Sequence, residues 1–114
     1  MNGEQRASIR KRIPLDVVIN YAFLDSRRWR TRDIGLDSAF IKMRQPSLPL
    51  GAAVDAMLVL EHASGIEHHH VPAQIIRVTK EGVALKFGDY SQHTYNVLLR
   101  LLDAPPEYRL AEQA

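Results

Sequence analysis

The chain contains no cysteine, which excludes disulfide bonds and thiolate chemistry. No apolar run approaches the roughly eighteen residues that a membrane-spanning helix needs. The first residues are polar and lack the apolar stretch of a signal peptide, so the expected location is the cytoplasm, with no membrane partner. Aromatic residues make up only 7% of the chain and tryptophan occurs once, at Trp29. There is no nucleophile motif, no phosphate-cradling glycine loop and no dinucleotide fingerprint. Internal repeats and low-complexity segments are also missing. These absences argue against an enzyme and against a resident cofactor or metal.

What is present fits one ordinary globular domain: 114 residues, 46% hydrophobic and 25% charged. The net charge of +2 is unevenly spread. Through Arg44 there are ten basic and five acidic residues; the remainder has five basic and eight acidic. Positive charge gathers in the segment Arg6-Ala7-Ser8-Ile9-Arg10-Lys11-Arg12 and again at Arg27, Arg28, Arg30 and Arg32. Such clusters suit phosphate or nucleic acid, although solvated faces look the same.

Residues 1–12 have little apolar content and are expected to form a flexible basic arm. Residues 13–103 carry the pattern of a folded domain. From Asp16 to Leu24 the chain is β-rich, with Val17, Ile19, Tyr21 and Phe23 on one alternating face. Trp29–Ile34 and Ala39–Met43 read as two further strands around Gly35–Ser38. Gln45–Gly51 is a proline-rich loop. Val54–His62, Ile66–Val78 with a bend at Pro72, and Val83–Phe87 complete six strands. Short strands at short intervals predict a mainly β fold, a small six-stranded antiparallel barrel. One helix is expected, capped by Ser91 and running to Leu102, with Tyr95, Leu98, Leu99 and Leu102 closing one end of the barrel. Pro105-Pro106 stops it, and residues 104–114 are left as a tail that could support a dimer beside the monomer.

Several constellations have residue types that could carry chemistry. Asp89, Ser91 and His93 lie close together, but a helix start accounts for them better than a catalytic set does. Glu61 and Glu67 flank a hairpin and read as surface charges. His68 and His70 share one face of a strand, and with His62 on the facing strand they could chelate a metal; an exposed polar face explains them more simply. Trp29 could stack on a base, though filling the core is favoured. The remaining pair of segments is the most informative. A cationic arm carrying Arg6, Arg10 and Arg12 precedes a strand–turn–strand carrying Asp33, Gly35 and Ser38. Guanine offers O6 and N7 to a bidentate arginine, and N1–H and N2–H to a carboxylate. Small residues let backbone approach a ligand.

The order and spacing of these segments resemble the PilZ domain, a bacterial receptor for cyclic di-GMP. The family pattern is Arg-x-x-x-Arg leading into the first strand, then Asp/Asn-x-Ser-x-x-Gly. Arg6 and Arg10 satisfy the arginine spacing; counted back from Ile13-Pro14-Leu15, the second arginine falls instead on Arg12 and the first on Ser8. Both registers stay open. Asp33 matches, while Gly35 stands in the family's Ser position and Ser38 in its Gly position. A serine replacing a positive-φ glycine is expected to add about 1 kcal/mol of strain. The resemblance implies a PilZ-type barrel with a closing C-terminal helix. It also implies cyclic di-GMP as ligand, held by Arg6, Arg10, Arg12, Asp33, Gly35 and Ser38. The implied role is a regulatory effector acting on a protein partner in trans, in motility, biofilm formation or virulence. The alternative is a non-binding adaptor of the same fold, for example in type IV pilus function. A third reading, a nucleic-acid-binding barrel using Arg27, Arg28, Arg30 and Arg32, is disfavoured by the modest net charge.

Overall fold

The computed structural model describes residues 9–21 and 27–103. Strands β1 (Arg10–Lys11), β2 (Asp16–Asn20), β3 (Arg28–Gly35), β4 (Ser38–Lys42), β5 (Ala53–His62), β6 (Gly65–Thr79) and β7 (Gly82–Phe87) precede one helix, α1 (Gln92–Asp103). All pairings are antiparallel. The ladder runs β3-β2-β5-β6-β7-β4, and the pairing of β3 with β4 closes it into a six-stranded barrel. β1 adds on to the end of β3.

Alternation explains the interior. Val17 and Ile19 of β2, Val54, Ala56, Leu58 and Leu60 of β5, and Val71, Ala73 and Ile75 of β6 are buried in one cluster. Val83 and Leu85 of β7 and Ala39 and Ile41 of β4 join them. Phe23 and Leu24 of the expected first strand lie outside the described residues; the part that is described ends at Asn20. No register break marks Pro72, where a bend was expected. Pro72 keeps register with Asp55, and β6 slips against β7 between Ile75 and Arg77, so that Ile76 is the extra residue.

The helix begins as its sequence requires. The Thr94 N–H donates to Ser91 Oγ at 3.1 Å, an N-cap bond. Its buried stripe is Thr94, Val97, Leu98 and Leu102, of which the last three join the core cluster. This face is turned by about one position from the expected Tyr95/Leu98/Leu99/Leu102 stripe. Tyr95 is 38% exposed, because Thr94 rather than Tyr95 faces the barrel, where its hydroxyl meets His69.

The entry to the barrel is pinned by Thr31, whose hydroxyl is buried. Thr31 Oγ1 accepts from the Leu15 N–H at 2.8 Å and donates to the Ile13 carbonyl, while the Thr31 N–H donates to the Leu15 carbonyl at 2.9 Å. The chain between arm and β2 therefore has fixed backbone partners, and Ile13 and Leu15 reach the core.

Candidate functional site

The site is built on the β3–β4 hairpin. A β-bulge interrupts β3 opposite β4: Thr31 pairs with Ile41 and Asp33 with Phe40, leaving Arg32 as the extra residue. In a regular strand neighbours point to opposite faces. Here the bulge brings Arg32 and Asp33 together, and Arg32 Nε donates to Asp33 Oδ2 at 2.8 Å. The Arg32 guanidinium also lies 4.0 Å over the ring of Phe40. Phe40 is buried, yet it stands on the face opposite Ala39 and Ile41 and outside the core cluster.

The arm closes over this ledge. β1 pairs with the end of β3, Arg10 opposite Gly35 and Lys11 opposite Ile34. Its approach is close: a Cβ added to Gly35 would lie 2.4 Å from the Ile9 carbonyl oxygen. Glycine is required here for space, since its backbone lies outside the left-handed region. Arg10 Nε lies 3.3 Å from Asp33 Oδ1. That oxygen is buried and makes no hydrogen bond among the described residues. Asp33 is thus flanked by two guanidiniums, one at each carboxylate oxygen, and only the Arg32 contact is a hydrogen bond. Asp37 Oδ1, in the turn, is also buried without a hydrogen-bond partner among the described residues. On the helix side, Lys11 Nζ donates to the carbonyl of Leu102 in the last turn of α1, where a cation complements the helix dipole. Tyr90 fixes the turn from beneath, its hydroxyl donating to the Leu36 carbonyl.

Of the residues expected in the site, Arg10, Asp33 and Gly35 come together. Ser38 begins β4 opposite Lys86, half-buried at the other side of the turn. It carries none of the expected strain: among the described residues the only non-glycine with positive φ is Gln45. Arg12 is exposed beyond β1. Arg6 and Ser8 lie outside the described residues, so the register of the first arginine is open. The expected flexible arm, residues 1–12, ends in β1; its earlier residues 1–8 lie outside the described ones. Arg32 was placed by sequence reasoning in a nucleic-acid stripe, and the bulge that turns it onto Asp33 has no signature in the residues. The stripe itself is divided: Arg28 and Arg30 lie 3.5 and 3.3 Å from the carboxylate of Asp16.

Two other expectations resolve differently. Trp29 is half-buried, packs on the core and borders a cleft of about 290 Å³ with Tyr21, Arg27 and Arg44. The histidines split by strand alternation: His68 and His70 are exposed, His69 is buried. His62 pairs with Gly65 and His68 with Val59, so His62 does not stand across from His68. His70 Nδ1 lies instead 2.9 Å from Asp55. Among the described residues no helix is long and apolar enough to cross a membrane.

A closed six-stranded barrel, a closing helix and a basic segment docked beside a carboxylate on the β3–β4 hairpin define the class of the fold, a small antiparallel barrel with a charged ledge at one hairpin. A family model described as the PilZ domain matches residues 4–104, and the chain belongs to that family. No curated protein sequence matches it. Among solved structures, the inhibitor of motility MotI/DgrA of Bacillus subtilis is similar with a TM-score of 0.72 at 14% identity. That match covers 93% of this chain and 52% of MotI, so this chain spans about half the length of that relative. The PilZ domain of CeSA from a cellulose-synthesizing bacterium gives 0.64 at 23% identity, covering 82% of this chain and 94% of that one. The PilZ domain of Escherichia coli YcgR, solved with c-di-GMP, gives 0.60 at 18% identity, covering 82% and 85%. Likeness at these identities establishes the fold.

Proposed function

We propose that the chain is a cyclic di-GMP-binding regulatory protein that signals to a partner protein in trans. The observation that supports this reading is the buried Asp33 Oδ1, which is ion-paired with Arg10 at 3.3 Å but makes no hydrogen bond among the described residues. A carboxylate oxygen held by an ion pair alone keeps the capacity to accept a hydrogen bond from a donor that arrives with a ligand. Guanine N1–H and N2–H are such donors, and its O6 and N7 suit the Arg10 fork. Arg12, exposed on the same arm, and Arg6 supply positive charge for the two phosphates. Family membership and the YcgR domain solved with c-di-GMP support the same ligand.

The output follows from how the arm is tied. A ligand that draws Arg10 off Asp33 pulls on β1, and β1 is fastened to the last turn of α1 through Lys11. Ligand binding therefore reshapes a surface made of arm, turn and helix end, which a partner can read. Regulation of motility is one such output, in keeping with the description of MotI as an inhibitor of motility.

One observation favours a second reading, an adaptor of the same fold that binds no nucleotide. The arm backbone already fills the space at Gly35, where the family's motif has Ser, and Arg10 already sits at the Asp33 carboxylate. The two readings separate on variants. Under the receptor reading, Arg10→Ala and Asp33→Ala each weaken cyclic di-GMP binding roughly ten- to hundredfold, while Arg77→Ala on the exposed face of β6 leaves it unchanged. Circular dichroism confirms the fold of each variant. Equal affinity across all of them would refute the assigned site.

A further inference from the structure

We propose that Glu67, His69 and His93 form a binding site for a late first-row divalent metal ion, Zn²⁺ foremost, which fastens the start of α1 to β6. The site is separate from the arm and the β3–β4 hairpin and stands independently of the nucleotide reading.

Strand alternation sets it up. Residues 67, 69, 71, 73 and 75 of β6 share the inward face, so Glu67 and His69 lie at the mouth that α1 covers while His68 and His70 point away. His69 is 4% exposed. Its Nδ1 lies 3.0 Å from Thr94 Oγ1 and its Nε2 lies 2.9 Å from Glu67 Oε1. His93, at the second residue of α1, brings its Nε2 to 3.9 Å from the same carboxylate oxygen, with its ring centroid 5.3 Å from that of His69. The three donor atoms all fall within 4.8 Å of one another.

That spread brackets what a metal needs. Tetrahedral coordination at about 2.1 Å places neighbouring ligand atoms about 3.4 Å apart. The His69–Glu67 separation is slightly shorter and the His93–Glu67 separation slightly longer. The adjustment falls on the more exposed members, the side chains of His93 and Glu67 being 69% and 44% exposed. His69 is the fixed member, oriented through Thr94, whose hydroxyl in turn receives Ser91 Oγ at 3.0 Å. A histidine whose second nitrogen is held by a hydroxyl is the usual outer support of a metal ligand. When His69 gives its Nδ1 proton to Thr94, its Nε2 lone pair faces the carboxylate, two acceptors that call for a cation between them. In the other tautomer the proton on Nε2 bridges to Glu67, and metal binding at Nε2 requires that proton to move to Nδ1, where Thr94 Oγ1 accepts it. Two imidazoles and one carboxylate suit zinc and its late neighbours over Ca²⁺ or Mg²⁺, and three protein ligands leave one coordination position for water.

The test is calorimetric titration of the untagged full chain with Zn²⁺ alone, paired with thermal melts. The expected result is one Zn²⁺ per chain at micromolar affinity or tighter, with a rise in melting temperature at saturating zinc. His93→Ala and Glu67→Gln each weaken binding roughly tenfold or more, remove the zinc-dependent rise, and melt like the parent protein without metal. The double variant His68→Ala/His70→Ala binds as the parent does. Absence of binding at millimolar zinc would overturn the proposal. So would parental affinity in His93→Ala, or loss of binding in the His68/His70 variant.

Discussion

Gly35 and Thr31 show how single residues hold the arm in place. The space at Gly35 is taken by the Ile9 backbone, so Gly35→Ser, which restores the family's residue, is predicted to dislodge β1 rather than to recreate a ligand contact. Faster hydrogen exchange at the Lys11 amide would report it, and unchanged exchange would contradict it. Thr31 satisfies two backbone groups of the Ile13–Leu15 segment with one hydroxyl. Thr31→Val keeps the shape and orphans both, so a loss of about 1–3 kcal/mol in chemical denaturation is expected. Tyr90 adds a pH-dependent term. Burial, then the neighbouring Tyr95 and Asp37, push its phenol above the ordinary tyrosine value of 10.0. The folded state thus favours the neutral phenol. Its contribution is fully present below the ordinary tyrosine value and is lost as pH rises through the raised one. Tyr90→Phe should lose less stability than the parent over that alkaline range; parallel profiles would show that Tyr90 plays no part.

Among the elements, β3 and β1 carry most of the proposed site and differ in how far the sequence discloses them. The strands were legible because hydrophobic residues alternate from Asp16 through Phe87, and the helix because Ser91 precedes a run with helical spacing. Asp33 and Gly35 were named from their motif, and the structure places them on one strand beside Arg10. The bulge at Arg32 was not, because it depends on how β3 meets β4, a pairing distant from local propensity. The metal-capable trio was missed for a related reason. Alternation predicted that His68 and His70 share a face, and the same rule places Glu67 and His69 on the other face. Only the fold decides that this second face meets α1 and His93. The helix stripe was read one position off because Tyr95 is the more hydrophobic residue, while Thr94 has the polar partner inside. At this scale the tie between arm and helix is testable. Lys11→Ala removes the bond to the Leu102 carbonyl and should speed amide exchange in the last turn of α1, leaving its first turn unchanged. Exchange unaltered at both ends would show that arm and helix are uncoupled.

As a whole, the molecule is a closed barrel whose helix is contacted at its two ends by different parts of the fold. The last turn of α1 is held by the arm through Lys11, and the first turn faces the Glu67–His69–His93 cluster. A nucleotide acting on the arm and a metal acting on the cluster would bias the same helix from opposite ends. The central claim concerns the first of these. Isothermal titration of the full chain with cyclic di-GMP, with GTP as control, tests it most directly. The account predicts saturable binding of micromolar affinity or tighter for cyclic di-GMP and none for GTP. No heat at high cyclic di-GMP concentration would contradict it and assign the chain to the adaptors of its family.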